Sequence, residues 1–217
     1  MYQKIVQLPL FQGLSKETVT KIIEKVKLQF KSLPAQTTFI NSGEPCNQLI
    51  FVLNGALVKK IESPDKTFKI EQEILSYSVI EPASLFGLVP SYQATYTTST
   101  ACDLLIIDKY YILEELTKHH IFKLNFFNIL SSQTHNYTKA IWAPKPSNDL
   151  LDSFKTFIHL HLGNTSHSIT LYIKMEDLAF QLNDTRLNVS KMLNKLKAKN
   201  KLALKRKIIH IPDFRLL

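Results

Sequence analysis

The chain has 217 residues, 45% hydrophobic and 21% charged, a composition typical of a soluble globular protein with one large core or two modest ones. No apolar run approaches the roughly 20 residues of a membrane helix, and the first residues lack the apolar stretch of a secretory signal. Cys46 and Cys102 are the only cysteines. They favour a reduced, cytoplasmic setting over a disulfide framework, and they cannot supply the four thiolates of an iron–sulfur cluster from one chain.

The net charge of +9 is unevenly distributed along the chain. Residues 174–217 hold eight Lys and three Arg against four acidic residues, whereas residues 1–173 hold 16 Lys against 14 acidic residues. The first Arg of the chain is Arg186, and the other two are Arg206 and Arg215. A basic C-terminal part on a nearly neutral body indicates a protein that binds a polyanion. A solvated basic face that serves only solubility is the alternative.

The N-terminal half predicts a helix followed by a β domain. Residues 10–30 contain apolar positions at helical spacing, with Ser15 as a plausible N-cap. From Lys31 to Asp108 the pattern changes to period two, with many short strands punctuated by turns. The Asn54-Gly55 pair predicts a two-residue hairpin turn between its flanking strands. These features favour a closed or double-sheet β roll, although they do not by themselves fix its topology.

Residues 109–142 return to helical periodicity. The longer predicted helix, about 121–142, is apolar on two sides, with Leu124 and Phe127 on one and Phe122 and Phe126 on another. Such a helix can pack on the β roll with one side and on a second copy of the chain with the other. The alternative is a core helix within one monomer. Our predicted dimer contacts are Leu124, Phe127 and Ile141.

The segment Ala143–Asp149 is the clearest break in the chain, because its two prolines cannot continue a helix. We therefore predict a hinge there. Beyond it, residues 150–162 read as a helix that ends at Gly163-Asn164, and residues 168–173 read as a strand. The chain closes with a predicted hairpin whose tip is Lys205-Arg206-Lys207.

The stretch from Ile173 to Leu202 predicts two short helices joined by a turn. The first helix is expected over Met175–Leu182, and Thr185 is a good N-cap for the second. In the second helix the inward positions are Val189, Met192, Leu193 and Leu196. Its opposite face is rich in hydrogen-bond donors and suits the major groove, and the hairpin tip suits backbone phosphates. The predicted DNA contacts are Thr185, Arg186, Leu187, Asn188, Ser190, Lys191, Asn194, Lys205, Arg206 and Lys207. An amphipathic helical hairpin with a solvated basic face is the alternative.

Four features together carry a family resemblance: residues 173–197, the L-F-Q-G-L-S and F-V-L-N-G-A-L stretches, the S-L-F-G turn at 84–87, and the long helix before the hinge. They resemble the Crp/Fnr family of bacterial transcription regulators, most closely its Bacteroides-type branch. The resemblance implies a sensor domain of the cyclic-nucleotide-binding type, which is a jelly-roll-like double-stranded β-helix. It also implies a long helix that dimerises and a C-terminal winged helix-turn-helix, with RNA polymerase as a partner.

The residues at the effector site depart from those of the family members that bind cyclic AMP. Those members hold the phosphate with a Gly-Glu motif and an Arg-Ser pair, and this roll contains no Arg. Because Lys does not reproduce the planar fork of Arg, we expect an unidentified effector other than cyclic AMP. The weakly marked candidate pocket comprises Ser84, Leu85, Phe86, Gly87, Thr95 and Thr97.

Nothing in the sequence predicts an enzyme, a cofactor or a metal site. Residues 1–118 contain no His, which argues against a metalloenzyme built on a β roll. His119-His120 and the His159-x-His161 pair are more simply solvated or capping residues, because helix positions two apart do not share a face.

The sequence therefore predicts an α+β, homodimeric, sequence-specific DNA-binding transcription regulator that recognises a palindromic site. The predicted domains are a sensor domain at 1–118, a dimerisation helix with hinge at 119–146, and a winged helix-turn-helix at 147–217. The alternative is a ligand-sensing or scaffold protein whose basic C-terminal domain binds a partner other than a promoter.

Overall fold

The computed structural model describes residues 2–142, 149–162 and 168–217. The chain is an α+β protein with two compact units. One unit comprises Met1–Lys59 with Ile74–Ser132, and the other comprises Lys60–Glu73 with Gln133–Leu217. The second unit thus takes up a short piece of the N-terminal half of the chain.

Seven α-helices and eleven β-strands lie in the described residues. The helices are α1 (Tyr2–Ile5), α2 (Lys16–Lys25), α3 (Lys109–Glu114), α4 (His120–Trp142), α5 (Leu150–Leu162), α6 (Met175–Gln181) and α7 (Arg186–Ala198). The strands of the first half are β1 (Gln29–Leu33), β2 (Thr38–Ile40), β3 (Gln48–Asn54), β4 (Ala56–Glu62), β5 (Phe68–Leu75), β6 (Ser78–Ile80), β7 (Thr95–Thr98) and β8 (Cys102–Asp108). The strands of the second half are β9 (Ile169–Ile173), β10 (Ala203–Lys205) and β11 (Ile208–Ile211).

The first unit is built on short antiparallel strands. One sheet has the order β1-β8-β3-β6, with Phe51 of β3 opposite Leu105 of β8. In a second set of strands, β7 lies between β4 and β2. Five consecutive residues of β3, from Leu49 to Leu53, are buried, so both faces of this strand are covered. The period-two pattern therefore predicted the β domain correctly, although its central strand is apolar on both faces.

Aromatic packing anchors the helices of the first unit. The ring of Phe11 contacts those of Phe51 and Phe122 edge to face, with centroids 5.6 and 5.3 Å apart. All three rings are fully buried, which favours such edge-to-face contacts among core aromatics. Helix α2 begins as predicted, because the Ser15 hydroxyl accepts a hydrogen bond from the Thr18 amide at 3.2 Å.

The predicted hairpin at Asn54-Gly55 is wrong. Strand β3 lies in the sheet with β8 and β6, whereas β4 lies beside β7, so the two strands flanking Gly55 do not pair. Gly55 instead marks the corner where the chain leaves one sheet, and its φ is +86°. A Cβ there would clash with the Ala101 carbonyl oxygen, so the corner needs glycine for space as well as for φ.

The second unit contains a four-stranded antiparallel sheet in the order β10-β11-β9-β5. Its core joins residues of α5, α6, α7 and the sheet, including Phe154, Leu178 and Leu193. Phe68 and Ile70 of β5 belong to the same core, although they lie some 80 residues before α5 in sequence. The strand predicted at 168–173 is confirmed as β9, and the predicted final hairpin is confirmed as β10 and β11.

Two predicted features lie outside the described residues. The hinge at 143–149 is described only at Asp149, and the helix end at Gly163-Asn164 is not described. The predicted domain boundaries at 118 and 146 stay predictions. The compact units follow a different division, because the segment 60–73 packs with the C-terminal residues.

Candidate nucleic-acid interface

The two predicted helices of the C-terminal half are present and pack through their apolar sides. Helix α6 buries Leu178 and Ala179, and α7 buries Val189, Leu193 and Leu196 in the same core. Their spacing in α7 is i, i+4 and i+7, so these side chains form one stripe of the helix. The core therefore fixes which face of α7 turns outward.

A tight turn sets the start of α7. The Asp184 amide donates to the Ala179 carbonyl at 3.0 Å, and Asn183 adopts a positive φ of 50°. Thr185 then caps α7, because its hydroxyl accepts from the Asn188 amide at 3.2 Å. The Asp184 carboxylate also accepts from the Asn188 side chain at 2.8 Å. The first turn of α7 is thus held at both its backbone and its side chains.

The outward face of α7 carries the residues expected to read DNA. Ser190 is half-buried, and the others on this face are exposed, namely Arg186, Leu187, Asn188, Lys191 and Asn194. The face therefore offers guanidinium, ammonium and amide donors together with one apolar side chain. Donors of this kind fit guanine and adenine edges, and an exposed Leu fits a thymine methyl group.

Arg186 already has a partner within the chain. Its guanidinium lies 3.3 Å from the carboxylate of Glu176 in the first turn of α6. Both side chains remain about two-thirds exposed, so the pair contributes at most about 1 kcal/mol to stability. The main consequence of the pair is orientation: it holds the guanidinium at the N-terminal end of α7. The sequence placed Glu176 in the first turn of α6 but gave no sign of this ion pair.

The three basic residues Lys205, Arg206 and Lys207, called here the basic tip, connect β10 and β11. Lys205 lies opposite Ile208 in the strand pair, so Arg206 and Lys207 form a two-residue turn. Lys207 has a φ of 61°, in the left-handed region that a type II turn requires at its second central residue. All three side chains are exposed. The Ile173 amide donates to the Lys207 carbonyl at 3.0 Å, which attaches the basic tip to the end of β9.

Two exposed residues beside this surface were not among the predicted contacts. Lys174 directly precedes α6. It follows Ile173, whose amide donates to Lys207 of the basic tip, and it lies two residues before Glu176 in the sequence. Phe180 on α6 is 84% exposed, which is unusual for a large apolar side chain. The i, i+3, i+4 pattern of α6 indicates that Phe180 faces outward, but it says nothing about what the residue contacts.

The residues of the candidate effector pocket have several different partners within the first unit. Ser84 donates to Glu81 at 2.7 Å, Leu85 is fully buried, and Gly87 is exposed. The Thr95 hydroxyl accepts from the Ser42 amide at 3.2 Å, and the Thr97 hydroxyl lies 2.8 Å from that of Thr38. The Phe86 ring packs edge to face on Phe126 and lies under the Lys109 ammonium.

The carboxylate of Glu81 is the centre of a polar cluster beside these residues. It accepts hydrogen bonds from the Ser84 hydroxyl, from the Gln93 amide at 2.7 Å and from the Tyr96 hydroxyl at 3.0 Å. Glu81 adopts a left-handed conformation with φ 36°, which costs a non-glycine residue on the order of 1 kcal/mol. The three hydrogen bonds offset that strain.

Burial dominates the ionisation of the groups around Glu81. It raises the pKa of Tyr96, and the Glu81 charge raises it further, so this phenol stays a hydrogen-bond donor. Burial likewise raises the pKa of Tyr92 and of the Cys46 thiol. The pKa of Lys59 is lowered by burial, while Glu81 acts in the opposite direction. The cluster is therefore organised around one carboxylate that is satisfied by donors of the chain itself.

Helix α4 shows two contrasting sides in the part that belongs to the first unit. Phe122 and Phe126 are buried, whereas Leu124 and Phe127 are about half exposed. Of the predicted dimer contacts, the side chain of Ile141 lies outside the described residues. The expected two-sided character of this helix is thus present, with one apolar side uncovered in the single chain.

Two histidines of α5 have local partners. The His161 ring contacts the Phe157 carbonyl at 2.7 Å, and the His159 ring packs edge-on against Phe214. Within the described part of the chain, no group of three His, Cys, Asp or Glu side chains is arranged to hold a metal ion. No helix among the described residues is long and apolar enough to cross a membrane.

Comparison with solved structures identifies the fold. The chain is similar to the catabolite activator protein of Thermus thermophilus, with a TM-score of 0.54, 17% identity and coverage of 96% of this chain and 95% of that chain. The sensor domain of the transcriptional regulator DNR from Pseudomonas aeruginosa matches 67% of this chain and 94% of its own, with a TM-score of 0.53 and 19% identity.

A transcriptional regulator of Thermotoga maritima matches 57% of this chain and 95% of its own, with a TM-score of 0.50 and 18% identity. No protein-family model and no curated protein matches the sequence. At these identities the similarity concerns the fold, and the chain has the fold of these solved transcription regulators.

Proposed function

We propose that this chain is a homodimeric transcription regulator of the Crp/Fnr type that reads duplex DNA through α7. The observation that carries the proposal is the exposed, donor-rich face of α7, with Arg186 at its capped N-terminal turn and the basic tip nearby. The N-terminal residues of a helix in the major groove are those that reach base edges. The fold shared with solved transcription regulators supports the same assignment.

In this proposal α6 and α7 form a helix-turn-helix, and the hairpin of β10 and β11 is its wing. Residues 147–217 constitute the DNA-binding domain, residues 1–118 the sensor domain, and residues 119–146 the dimerisation helix and hinge. The segment 60–73 belongs to the sensor in sequence but packs with the DNA-binding residues. It therefore provides a covalent route by which a signal at the roll reaches the DNA-binding domain.

The uncovered side of α4 is the surface that we assign to the dimer. Ile121, Leu124 and Phe127 recur every three residues and are 38%, 48% and 56% exposed. A contiguous apolar stripe of this kind is suited to a matching helix of a second copy. A two-fold dimer presents two copies of α7 to half-sites about 34 Å apart, which accounts for a palindromic target.

We assign a regulatory rather than a catalytic role to the first unit. An effector other than cyclic AMP would shift the population of DNA-binding states in this cytoplasmic protein. RNA polymerase would be the partner that responds to the change in DNA binding. The absence of Arg from the roll supports the exclusion of cyclic AMP, because no guanidinium is present there to hold the cyclic phosphate.

Selection of bound sequences from random duplex DNA tests the proposed function. We expect the full-length protein to enrich one palindromic motif, with an affinity that falls steeply as salt increases. Equal recovery of all sequences together with tight binding at low salt would indicate a non-specific polyanion binder. Absence of duplex binding at any salt concentration would favour the ligand-sensing or scaffold alternative.

Neutralising the basic tip is expected to flatten the salt dependence of binding. In a Lys205→Gln, Lys207→Gln double variant, each lost phosphate contact reduces the slope of log K against log salt by about 0.9. We therefore expect a slope shallower by about 1.8 per protomer, with similar losses on target and random DNA. Fluorescence anisotropy with labelled duplexes over a salt series measures both quantities.

The control for the basic tip is a double variant that removes the same charge elsewhere. Lys16 and Lys21 are exposed on α2 in the first unit, so Lys16→Gln, Lys21→Gln should leave the slope close to that of the wild type. Equal slopes for the wild type and the basic-tip variant would contradict phosphate contact there.

Cyclic AMP is expected to leave the thermal stability of the protein unchanged. A ligand at 100 times its Kd stabilises the folded state by about 2.7 kcal/mol, which raises the Tm of a chain of this size by about 5 °C or more. The roll contains no Arg to hold the phosphate. Differential scanning fluorimetry with micromolar cyclic AMP, with 5′-AMP as the control, should show no shift. A rise with cyclic AMP alone would refute the expectation.

A further inference from the structure

The hairpin formed by β4 and β5 contributes a strand to the sheet that carries the basic tip. Five residue pairs join β5 to β9 in antiparallel register, from Phe68 opposite Ile173 to Gln72 opposite Ile169. The Phe68 ring packs edge to face against Phe157 at 5.2 Å and against His161 at 4.9 Å. Because Phe68 and Ile70 lie in the core of the second unit, this strand is an integral part of that unit.

Polar contacts fix the register of the added strand. The Tyr172 hydroxyl donates to Glu71 at 2.9 Å on the outer face of the sheet, and the Glu73 amide donates to the Ser168 carbonyl at 3.1 Å. A slip by one residue would turn Phe68 and Ile70 away from the core, so the register is strongly specified. The position of the turn that precedes β5 is fixed with it.

That turn, Ser63–Lys66, is called here the hairpin tip, and it leaves the sheet at the same edge as the basic tip. Phe68 lies opposite Ile173, and the Ile173 amide donates to the Lys207 carbonyl at 3.0 Å. The start of β5, the end of β9 and the start of β11 therefore form a row across the sheet. Since neighbouring strands are about 4.8 Å apart, β5 and β11 are separated by roughly 10 Å.

Lys66 is the exposed cation of the hairpin tip. Its backbone is left-handed, with φ 58°, and its amide donates to the Ser63 carbonyl at 2.9 Å. The neighbouring Asp65 carboxylate accepts from the Thr67 amide and hydroxyl, and hydrogen bonds from Ser63 and Thr67 lower the pKa of this carboxyl group. Glu62 is engaged by Lys69 at 3.2 Å. The nearby acidic groups thus have partners, and Lys66 makes no ion pair with a described residue.

We propose that the hairpin tip is a second wing, whose Lys66 contacts a DNA backbone phosphate beside those held by the basic tip. This inference rests on the proposed function, since it requires that the edge with Lys174 and the basic tip face duplex DNA. Phosphates on one strand follow one another every 3.4 Å along the helix axis, so roughly 10 Å corresponds to about three phosphate steps. A Lys ammonium is a mobile point charge that suits a phosphate and carries no sequence information.

The test is the salt dependence of DNA binding by full-length Lys66→Gln. We expect a slope of log K against log salt that is shallower by about 0.9 per protomer, or about 1.8 for a dimer with both tips engaged. Between 50 and 200 mM salt, the wild type should then lose about 12-fold more affinity than the variant. The loss of affinity caused by Lys66→Gln should be equal on target and random duplexes. Lys21→Gln, at an exposed position of α2 in the first unit, is the matched control.

A second variant adds charge at the same turn. Pro64 is exposed at the hairpin tip, so Pro64→Lys should steepen the slope by about 0.9 per protomer if this turn lies on the phosphates. Wild-type slopes for both Lys66→Gln and Pro64→Lys, in a protein whose basic-tip variant does respond, would overturn the second wing and leave DNA binding intact. Loss of duplex binding by the wild type itself would overturn the proposed function instead.

Discussion

Replacing Phe68 with alanine is expected to destabilise the second unit by about 3–5 kcal/mol, although Phe68 lies in the N-terminal half of the chain. The side chain is 4% exposed and its ring contacts Phe157 and His161, so its truncation removes buried apolar area and leaves a cavity between β5 and α5. DNA binding should weaken with stability, because the same core holds α7 in place.

Amide hydrogen exchange resolves this effect by position. In Phe68→Ala, protection should fall for α5, β9 and α7, whereas β3 and β8 of the first unit should keep wild-type protection. Phe30→Ala is the matched control, because Phe30 is 49% exposed on β1 and its truncation should cost far less. Unchanged protection in β9 would show that β5 is dispensable for the second unit. Uniform loss across both units would show that they unfold together.

The pairing of β5 with β9 illustrates what the sequence did not predict. The alternation of Phe68, Lys69, Ile70 and Glu71 predicted a strand with one buried face, and the structure has that strand and that face. The partner strand lies about 100 residues further along the chain, and period two specifies a face without specifying a neighbour. The extent of the second unit was therefore not predictable from local pattern.

The same distinction explains the error at Gly55. Asn-Gly predicts positive φ, and Gly55 does have a positive φ, but a corner between two sheets needs that conformation as much as a hairpin does. The discriminating feature is the Ala101 carbonyl, which directly precedes β8, is distant in sequence and leaves no space for a Cβ at position 55. The local motif therefore predicted the positive φ of Gly55 correctly, whereas Asn54 does not have the positive φ that the hairpin turn requires and the predicted strand pairing is wrong.

Local signals were sufficient where capping and periodicity determine the structure. Ser15 and Thr185 cap the helices that the sequence predicted, and the buried stripe of Val189, Leu193 and Leu196 determines which residues of α7 are exposed. The ion pair between Arg186 and Glu176 joins two helices across a turn, so no single helix pattern reveals it. The exposed face was predictable, whereas the intrachain partners that orient it were not.

Arg186→Ala is expected to lower the affinity for the selected target by about 1–3 kcal/mol, or about 5- to 150-fold, and to lower the affinity for random DNA much less. Arg186 is the Arg at the N-terminal end of α7, where side chains reach base edges, and its five donors match O6 and N7 of guanine. Loss of a base contact reduces the discrimination between DNA sequences, whereas loss of a phosphate contact lowers the affinity for all sequences alike. Competition binding with target and scrambled duplexes at one salt concentration measures the ratio.

Two further variants separate the guanidinium fork from the positive charge. Arg186→Lys keeps the charge and loses the planar fork, so affinity for random DNA should be retained while preference for the target falls. Arg215→Ala removes an exposed Arg whose guanidinium is already bound by Asp213 at 2.9 and 2.6 Å, so the preference for the target should stay at its wild-type value. If Arg186→Lys kept full preference, or if Arg186→Ala weakened target and random DNA equally, Arg186 would act as a phosphate contact. The ion pair with Glu176 would then hold a positive charge near the DNA backbone instead of orienting the guanidinium toward a base.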